Sequence, residues 1–404
     1  MSDLDIEKSK ALQMKIPLMR KAFLNEVETK KALAEFILQA DRLSMDVECG
    51  KFEKKFAEYQ QCKHAVLFNS GGSANLAMLQ ALKNMGKLKD GDKIGFSALT
   101  WSTNTMPIIQ MNMIPVVIDV TPEVINTTSQ NLLERLETTD LQALFITNIL
   151  GFTGDIDTIR QICEERNIIL IEDNCESLGT ELPEGRTGNF GIGASFSFFV
   201  AHHMSTIEGG MVCTSDDDFA EMLRIVRANG WDRNLNPEQQ QKWRTEYGIE
   251  TEFESKYTFY DLGYNFRPTE ITGFLGQYQM QFLDKNISSR EQNYLRIEKV
   301  VKENTDFLPL EHSHIDVLST FAFPFVCRTA ELRTHYLQKF IDAGVEIRPM
   351  IAGNMQSQPF YKKYVKEVYN MPGADMMHNN GFYCGNYPEL LEEDLIVFEN
   401  LLRK

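Results

Sequence analysis

Short apolar segments alternate with amphipathic ones between residues 64 and 172, and this alternation constrains the fold more than any other feature of the sequence. The apolar segments are rich in β-branched and aromatic residues, and they predict strands at His64–Phe68, Lys93–Phe96, Pro115–Val120, Ala143–Asn148 and Ile168–Glu172. Helices are predicted between them, over Ser73–Leu82, after Asn104, near Gln130–Leu136 and over Ile156–Arg166. The pattern predicts an α/β fold in which helices flank a mainly parallel sheet. Ligands of such sheets bind beyond the carboxyl ends of the strands.

The pattern changes on both sides of this region, and 404 residues exceed the size of one typical domain. Residues 1–60 are predicted to be helical, with amphipathic stretches at Arg20–Leu38 and Lys51–Tyr59. After Leu283 we expect a smaller α+β domain, built from the segments Ser289–Lys302, Val317–Phe325, Ala330–Ala343 and Val345–Arg348 and from helices after Pro359 and Glu389. The sequence therefore predicts a large domain over residues 1–283 and a small C-terminal domain over 284–404. The polar segment Asn234–Tyr257 is predicted to be an excursion over the surface.

Charge and cysteine usage exclude several classes of function. The formal net charge is −16, so the chain has no basic field that would hold nucleic acid or an anionic membrane. We find no apolar run of transmembrane length and no signal peptide. The seven cysteines are scattered without C-x-x-C spacing, which argues against zinc, an iron–sulfur cluster or a disulfide framework. A reducing, cytoplasmic location is expected.

The segment 69–75 follows a predicted strand and opens a predicted helix, and it is rich in small residues. Backbone amides at Gly72 and Ser73 could approach an anion such as a phosphate, because a helix N-terminus favours negative charge. The glycines could equally serve only a tight strand–helix turn. They form neither a Walker nor a dinucleotide motif.

Two further loops follow strand ends and could meet the same ligand. Asp173 ends a buried strand, where a carboxylate can keep the ring nitrogen of a pyridine-type cofactor protonated. Glu176 lies three residues later and could face the same pocket. Alternatively, Asp173 caps the next helix or belongs to a metal pair. Trp101 follows the strand at Lys93–Phe96 and could stack on an aromatic cofactor ring, although most tryptophans lie in the core.

The stretch from Ser195 to Gly210 has strand alternation up to Ser197 and continues into a polar loop with His202, His203 and Glu208. Together, these motifs resemble fold-type I enzymes that use pyridoxal 5′-phosphate, specifically the DegT/StrS group of nucleotide-sugar aminotransferases. The resemblance covers about residues 52–349. It includes the Ser–Gly–x–Ser–Ala turn, the Glu–Asp pair, Ser–Phe–Ser before Glu–Gly–Gly, and Gly–x–Asn–x–Arg at residues 263–267.

One position departs from the family pattern. A family lysine that binds the cofactor covalently lies five residues after the serine equivalent to Ser197, and here that place holds His202. Imidazole cannot make this link, so the resemblance implies a cofactor held non-covalently, as pyridoxal or pyridoxamine phosphate. Histidine can still move protons near neutral pH. The replacement is typical of a family branch, the 3-dehydratases of nucleotide-linked 4-keto-6-deoxy sugars.

The resemblance also implies a reaction. Glutamate supplies the amino group, and the sugar loses its C3 hydroxyl to give a 4-keto-3,6-dideoxy sugar, 2-oxoglutarate and ammonia. The region after Arg227 lacks the cluster cysteines of the CDP-sugar members, so a GDP-linked substrate without an iron–sulfur partner is expected. The sequence leaves the nucleotide, and the choice of hexose or heptose, open.

The remaining roles also come from the resemblance. Ser197 and the amides of Gly72 and Ser73 hold the phosphate, Glu176 faces the ring hydroxyl, and Asn265 reaches the phosphate from a partner subunit, which implies a homodimer with shared sites. Arg348 binds substrate or glutamate, or forms only a surface ion pair. His203 is expected to pack in the loop. A non-catalytic paralogue, an iron–sulfur dehydrase and a 4-aminotransferase with an atypical base stay as alternatives.

Overall fold

The computed structural model describes residues 15–404. Predicted helical structure before residue 15 lies outside the described residues. The strands are β1 His64–Phe68, β2 Lys93–Ser97, β3 Ile114–Ile118, β4 Ala143–Thr147, β5 Ile169–Asp173, β6 Glu181–Leu182, β7 Gly185–Arg186, β8 Gly193–Ser197, β9 Gly210–Thr214, β10 Ala322–Val326, β11 Ile347–Pro349 and β12 Gly381–Gly385. The predicted strands are therefore present, with ends that differ by a few residues.

The helices alternate with the strands as expected. They are Glu26–Gln39, Val47–Gln60, Gly71–Asn84, Ser102–Gln110, Ser129–Leu136, Ile156–Arg166, Asp217–Arg227, Pro237–Glu246, Glu252–Ser255, Glu270–Met280, Leu283–Glu303, Ala330–Asp342, Pro359–Tyr364, Pro372–Asn380 and Glu392–Leu402. Among residues 15–404, none of these helices combines the length and the apolar character needed to cross a bilayer.

The main sheet has seven strands in the order β1-β9-β8-β5-β4-β2-β3. All neighbouring pairs are parallel except those of β9, which runs antiparallel to both β1 and β8. The carboxyl ends of six strands and the start of β9 therefore lie at one edge. This confirms the predicted α/β fold and brings the loops after β1, β2, β5 and β8 together.

Apolar side chains hold the sheet between its helices. Under β8, Phe196 and Phe198 pack edge-on against Phe56 of the helix Val47–Gln60, with ring centroids 5.3 Å apart in both pairs. These rings are fully buried, and burial of such side chains contributes about 1.5–3 kcal/mol each. The strand that leads to the His202 loop is thus held by its packing against the helix Val47–Gln60.

The C-terminal part forms a three-stranded antiparallel sheet in the order β10-β12-β11. The strand-like segment expected from Val317 begins only at Ala322, because Val317 pairs instead with Glu181 in an isolated bridge. The helix Leu283–Glu303 spans the predicted domain boundary, and the division at residue 283 stays a prediction. The segment 234–257 carries the helix Pro237–Glu246, which buries none of its residues, in agreement with a surface excursion.

Candidate active site

A cavity of about 450 Å³ opens at the carboxyl edge of the main sheet. Six side chains or backbone segments expected there from the sequence line it: Gly72, Trp101, Asp173, Glu176, Ser197 and His202. They come from the ends of β1, β2, β5 and β8, as the strand order requires. The structure thus brings most of the predicted site together in one place.

Asp173 is the most firmly held of these residues. Its Oδ2 accepts hydrogen bonds from Asn75 Nδ2 at 2.8 Å and Asn104 Nδ2 at 2.7 Å, and its Oδ1 accepts one from the amide of Cys175 at 2.9 Å. Each carboxylate oxygen can accept more than one donor, so Oδ1, which accepts a single bond, retains capacity for another. A buried carboxylate that lines a cavity and is already fixed by three donors fits a protonated ring nitrogen.

The turn after β1 packs closely against the end of β8. Ser70 caps the helix Gly71–Asn84, because its Oγ accepts the amide of Ser73 at 3.0 Å. A Cβ on Gly71 would lie 2.7 Å from Ser197 Cβ, and one on Gly72 would lie 3.1 Å from Thr103 Cγ2. Because both positions lack a side chain, the backbone at the start of this helix lies close to Ser197. A phosphate could therefore approach the backbone amides there. Ser73 donates its own amide to Ser70 rather than into the cavity.

His202 and His203 follow β8 in the same loop but lie in different surroundings. His202 is half-buried and lines the cavity, with its ring edge-on to Phe321 at 5.3 Å. His203 is buried, and its Nε2 lies 3.0 Å from the carbonyl oxygen of Ser319. This placement agrees with the expectation that His203 packs in the loop. Within the described residues, His202 Nδ1 is buried without a hydrogen-bond partner.

The environment of His202 favours the neutral imidazole. Loss of solvent lowers the pKa of His202 to about 4. The backbone of Ser197 and the Asp173 carboxylate oppose this shift, and the positive charge of Arg290 adds to it. At neutral pH the ring is therefore unprotonated and can accept a proton. A neutral imidazole at the cavity wall is suited to general-base work.

The environment of Glu176 raises its pKa and so favours the protonated carboxyl group. Burial raises the pKa of Glu176 to about 8, although the amide of Leu150 donates to its Oε2 at 3.0 Å and favours the charged form. The nearby Asp173 carboxylate adds to the increase. At neutral pH this side chain carries a proton that it can donate to an oxygen in the cavity.

Trp101 lies at the margin of the cavity, and two other predicted residues lie outside it. Trp101 borders the cavity but leaves 58% of its surface exposed. Asn265 is exposed and pairs with Ala228 in an isolated bridge, and Arg348 is exposed on β11 beside Glu346. The structure of the single chain does not bring Asn265 or Arg348 to the cavity lining.

Sequence reasoning missed several cavity residues. Thr103 and Cys175 lie within two positions of the predicted Trp101 and Glu176, and Glu208 lies in the same loop as His202, so proximity in sequence could have indicated them. Phe321 and Tyr383 come from the C-terminal part of the chain, and their apolar, strand-like surroundings gave no such indication. Within the described lining of the cavity there is no lysine.

Comparison with known proteins agrees with this geometry. The chain is 32% identical over 382 residues to the GDP-4-keto-6-deoxy-D-mannose 3-dehydratase of Yersinia pseudotuberculosis, covering 91% of this chain and 94% of the relative. The Escherichia coli GDP-4-keto-6-deoxy-D-mannose-3-dehydratase with bound hydrated PLP superposes with a TM-score of 0.88 at 29% identity, over 96% of this chain and 100% of that chain.

A second crystal structure, of a GDP-4-keto-6-deoxymannose-3-dehydratase with a trapped PLP-glutamate geminal diamine, gives a TM-score of 0.87 at 29% identity, over 96% of this chain and 100% of that chain. The model of the DegT/DnrJ/EryC1/StrS aminotransferase family matches residues 25–401. The family resemblance inferred from the motifs is therefore confirmed. The chain belongs to the DegT/DnrJ/EryC1/StrS aminotransferase family.

Proposed function

We propose that the protein is a pyridoxal-phosphate-dependent C3 dehydratase of a GDP-linked 4-keto-6-deoxy sugar, with glutamate as amino donor. The observation that carries this proposal is the placement of His202, rather than a lysine, at the wall of a cavity that also contains Asp173. The similarity to 3-dehydratases over nine-tenths of the chain supports the same reaction. The products are a 4-keto-3,6-dideoxy sugar nucleotide, 2-oxoglutarate and ammonia.

The cavity fits pyridoxal or pyridoxamine phosphate held without a covalent bond. The bound cofactor supplies an aldehyde or amine that exchanges amino groups and a ring that accepts electrons. Asp173 is proposed to hold the ring nitrogen, Glu176 to donate to the ring hydroxyl, and Trp101 to cover one ring face. The Ser197 hydroxyl and the backbone of Gly72 are proposed to bind the phosphate. The predicted contact through the Ser73 amide is not proposed, because that amide donates to Ser70 Oγ.

His202 is proposed as the group that moves protons. As a neutral base, it would take a proton from the C4′ carbon of a bound cofactor, and the resulting imidazolium would give a proton to the C3 hydroxyl of the sugar as that group leaves. Its position at the cavity wall places the ring beside the proposed cofactor and substrate. No other histidine lines the described part of the cavity.

The remaining roles concern residues outside the single-chain cavity. Asn265 is proposed to reach the phosphate of a partner subunit, so that the enzyme is a homodimer with shared sites. Its exposure on the surface supports this role. Arg348 stays a predicted contact for substrate or glutamate, and the cytoplasmic location also stays a prediction.

Nucleotide recognition is proposed for the excursion at residues 234–257. A cavity of about 580 Å³ opens there, and its lining includes the cations Arg233, Arg244 and Lys256, the carboxylates Asp232 and Glu252, and the rings of Trp231 and Tyr257. Arg244 is paired with Asp232 at 2.8 Å. Positive charge and aromatic faces match a nucleoside diphosphate. The overall charge of −16 makes local cationic donors necessary for an anionic substrate, and Arg233 and Lys256 are proposed to supply them.

The proposal is tested with the purified protein, pyridoxal phosphate, glutamate and GDP-4-keto-6-deoxymannose. Ammonia and 2-oxoglutarate are measured together with the mass of the sugar nucleotide. Release of both, with loss of the C3 oxygen, supports dehydration. An accumulating amino sugar without ammonia would show a 4-aminotransferase, and no turnover with intact cofactor binding would show a non-catalytic paralogue.

A second test concerns the position of the cofactor. The variant His202→Lys is expected to bind the cofactor covalently, so that borohydride reduction adds the cofactor mass to the protein. The wild-type protein, treated in the same way, is expected to gain no mass. A variant that also gains none would contradict the placement of the cofactor beside His202.

A further inference from the structure

Arg290 lies in the helix Leu283–Glu303 behind the His202 loop and is only 1% exposed. Its guanidinium donates to four uncharged oxygens: Asn286 Oδ1 at 2.8 Å, the Phe321 carbonyl at 2.8 Å, the Asn386 carbonyl at 2.5 Å and the His202 carbonyl at 3.4 Å. A buried guanidinium is energetically costly unless its donors are satisfied. Here backbone and amide oxygens supply those partners.

Three of these acceptors belong to segments that form the cavity. His202 and Phe321 line it directly and contact each other edge-on, with ring centroids 5.3 Å apart. Asn386 directly follows β12, the strand that carries the cavity residue Tyr383. One side chain therefore connects the His202 loop, the ring that packs on His202, and the strand on the far wall.

Neighbouring contacts make this connection rigid. Asn286, one helical turn before Arg290, donates through Nδ2 to the His203 carbonyl and accepts from Arg290 Nε. Asn386 Nδ2 donates back to the Arg290 carbonyl at 2.8 Å. Because the planar guanidinium offers several donors in a fixed geometry, lysine cannot reproduce all of these bonds.

The charges around His202 come from several elements. Asp173 lies at the end of β5, Arg290 on the helix behind, and His203 next in the chain. The other titratable residues that line the same cavity, or the small cavity behind His202, are Cys175, Glu176, Glu208, Tyr383, Lys21 and Glu389. Of the charged groups, Arg290 and Asp173 act on the His202 ring with opposite sign.

We propose that Arg290 is a positioning residue for the dehydration: it holds the His202 carbonyl, Phe321 and the end of β12 in one arrangement, so that the imidazole stays at the wall of the cavity. This inference rests on the proposed function. It assigns the residue two separable contributions. The hydrogen bonds from the guanidinium hold the His202 loop, Phe321 and the end of β12 in place. Its positive charge disfavours protonation of the His202 ring.

The test uses Arg290→Met and Arg290→Lys, with Arg296→Met as the matched control. Arg296 lies on the same helix but forms surface ion pairs with Glu392 and Glu399. The dependence of kcat on pH is measured for all four proteins. Activity falls at low pH as His202 becomes protonated, so loss of a neighbouring positive charge should move this acid limb to higher pH.

For Arg290→Met we expect the acid limb to rise by about one pH unit and kcat at the optimum to fall about tenfold. Arg290→Lys should keep the acid limb in place, because the charge remains, but lose a similar factor in kcat. The control Arg296→Met should retain the wild-type profile. A folded Arg290→Met protein with an unchanged limb and kcat would overturn the inference, as would Arg290→Lys with wild-type kcat if Arg290→Met does not fold.

An independent readout does not require turnover. Selective ¹³C labelling of the seven histidines allows the His202 ring to be titrated by NMR, with His202→Asn to assign its signal. The His202 pKa should be higher in Arg290→Met than in wild type and unchanged in Arg296→Met, with and without cofactor. If wild type lacks dehydratase activity but this shift is present, the proposed function fails while the electrostatic role of Arg290 stands. If wild type is active and the shift is absent, only the inference fails.

Discussion

The sheet edge around Asp173 and the loop 198–209 that carries His202 border the same cavity, but they hold their central side chains differently. Three donors fix the Asp173 carboxylate directly, two of them amide side chains of Asn75 and Asn104. The His202 ring has a buried Nδ1 without a partner in the described residues, and its loop is held through the main chain. A group that only stabilises a charge benefits from fixed partners, whereas a group that carries protons needs a ring that is free to exchange them.

Of the two regions, the loop that carries His202 is expected to show the largest loss of kcat on substitution. His202→Asn should lower kcat for dehydration by about 10³-fold, because general acid–base catalysis contributes about 10²–10⁴-fold. Cofactor binding, followed by absorbance, should change little. The matched variant His203→Gln should lose less than tenfold, since His203 bonds to Ser319 rather than facing the cavity. Equal losses in both variants would show that the loop acts as one structural unit.

The sheet edge should give the second largest effect. Asp173→Asn leaves the shape nearly unchanged but removes the charge that would hold the ring nitrogen protonated, and we expect kcat to fall about 10²-fold together with weaker cofactor affinity. Asp119→Asn is the control. Asp119 directly follows β3, and its carboxylate accepts the amides of Gly373 and Ala374 at the start of a helix. Equilibrium dialysis of the cofactor and initial rates separate the two contributions. An Asp173→Asn protein with wild-type affinity and rate would contradict the comparison.

Glu176 lines the same cavity, and we expect it to make the stability of the folded protein depend on pH. Because its pKa rises to about 8 in the folded protein, folding favours the protonated form. The stabilisation is complete below the unfolded value near pH 4.5 and is lost as pH rises through 8. Glu176→Gln has no carboxyl group to ionise and does not lose this stability. The difference in Tm between the variant and the wild type should therefore be roughly 2 °C more in favour of the variant at pH 9 than at pH 6. Thermal denaturation at both pH values checks the prediction, and a constant difference would refute it.

Arg348 lies outside both regions and should give the smallest effect. It is exposed and pairs with Glu346, so Arg348→Ala is expected to raise KM for glutamate or the sugar nucleotide by less than tenfold without changing kcat. Exposed ion pairs contribute about 0–1 kcal/mol to stability, and Tm should be nearly constant. Glu346→Ala serves as the control for the ion pair alone. An identical KM increase in both variants would indicate that the pair, not the arginine, is responsible.

The sheet edge could be predicted from the sequence almost completely. Each parallel strand carries its own local pattern, and its last residue is thereby placed at the edge of the sheet, as Asp173 and Ser197 are. His202 could be placed by counting from Ser197 and Glu208. Local order was sufficient because parallel strands deliver their carboxyl ends to a common edge.

The walls contributed by the C-terminal part could not be predicted. Phe321 and Tyr383 reach the cavity through the packing of two sheets, and such long-range contacts leave no periodic pattern in the sequence. The role of Asn75 was missed for another reason: its amide supports Asp173 from 98 positions away. The positions of Asn265 and Arg348 likewise depend on contacts beyond one chain or one cavity.

The reversed direction of β9 has a consequence for engineering. Ser197 at the end of β8 is paired with Gly210 at the start of β9, so the loop between them leaves and re-enters the sheet at adjacent points. A Cβ on Gly210 would lie 2.2 Å from the Ser70 carbonyl oxygen, which fixes the return beside the turn after β1. The loop therefore begins and ends at one place on the scaffold. A designer who wishes to change the reaction can vary its cavity-facing position His202 while the buried positions that hold the loop, such as His203, are left as they are.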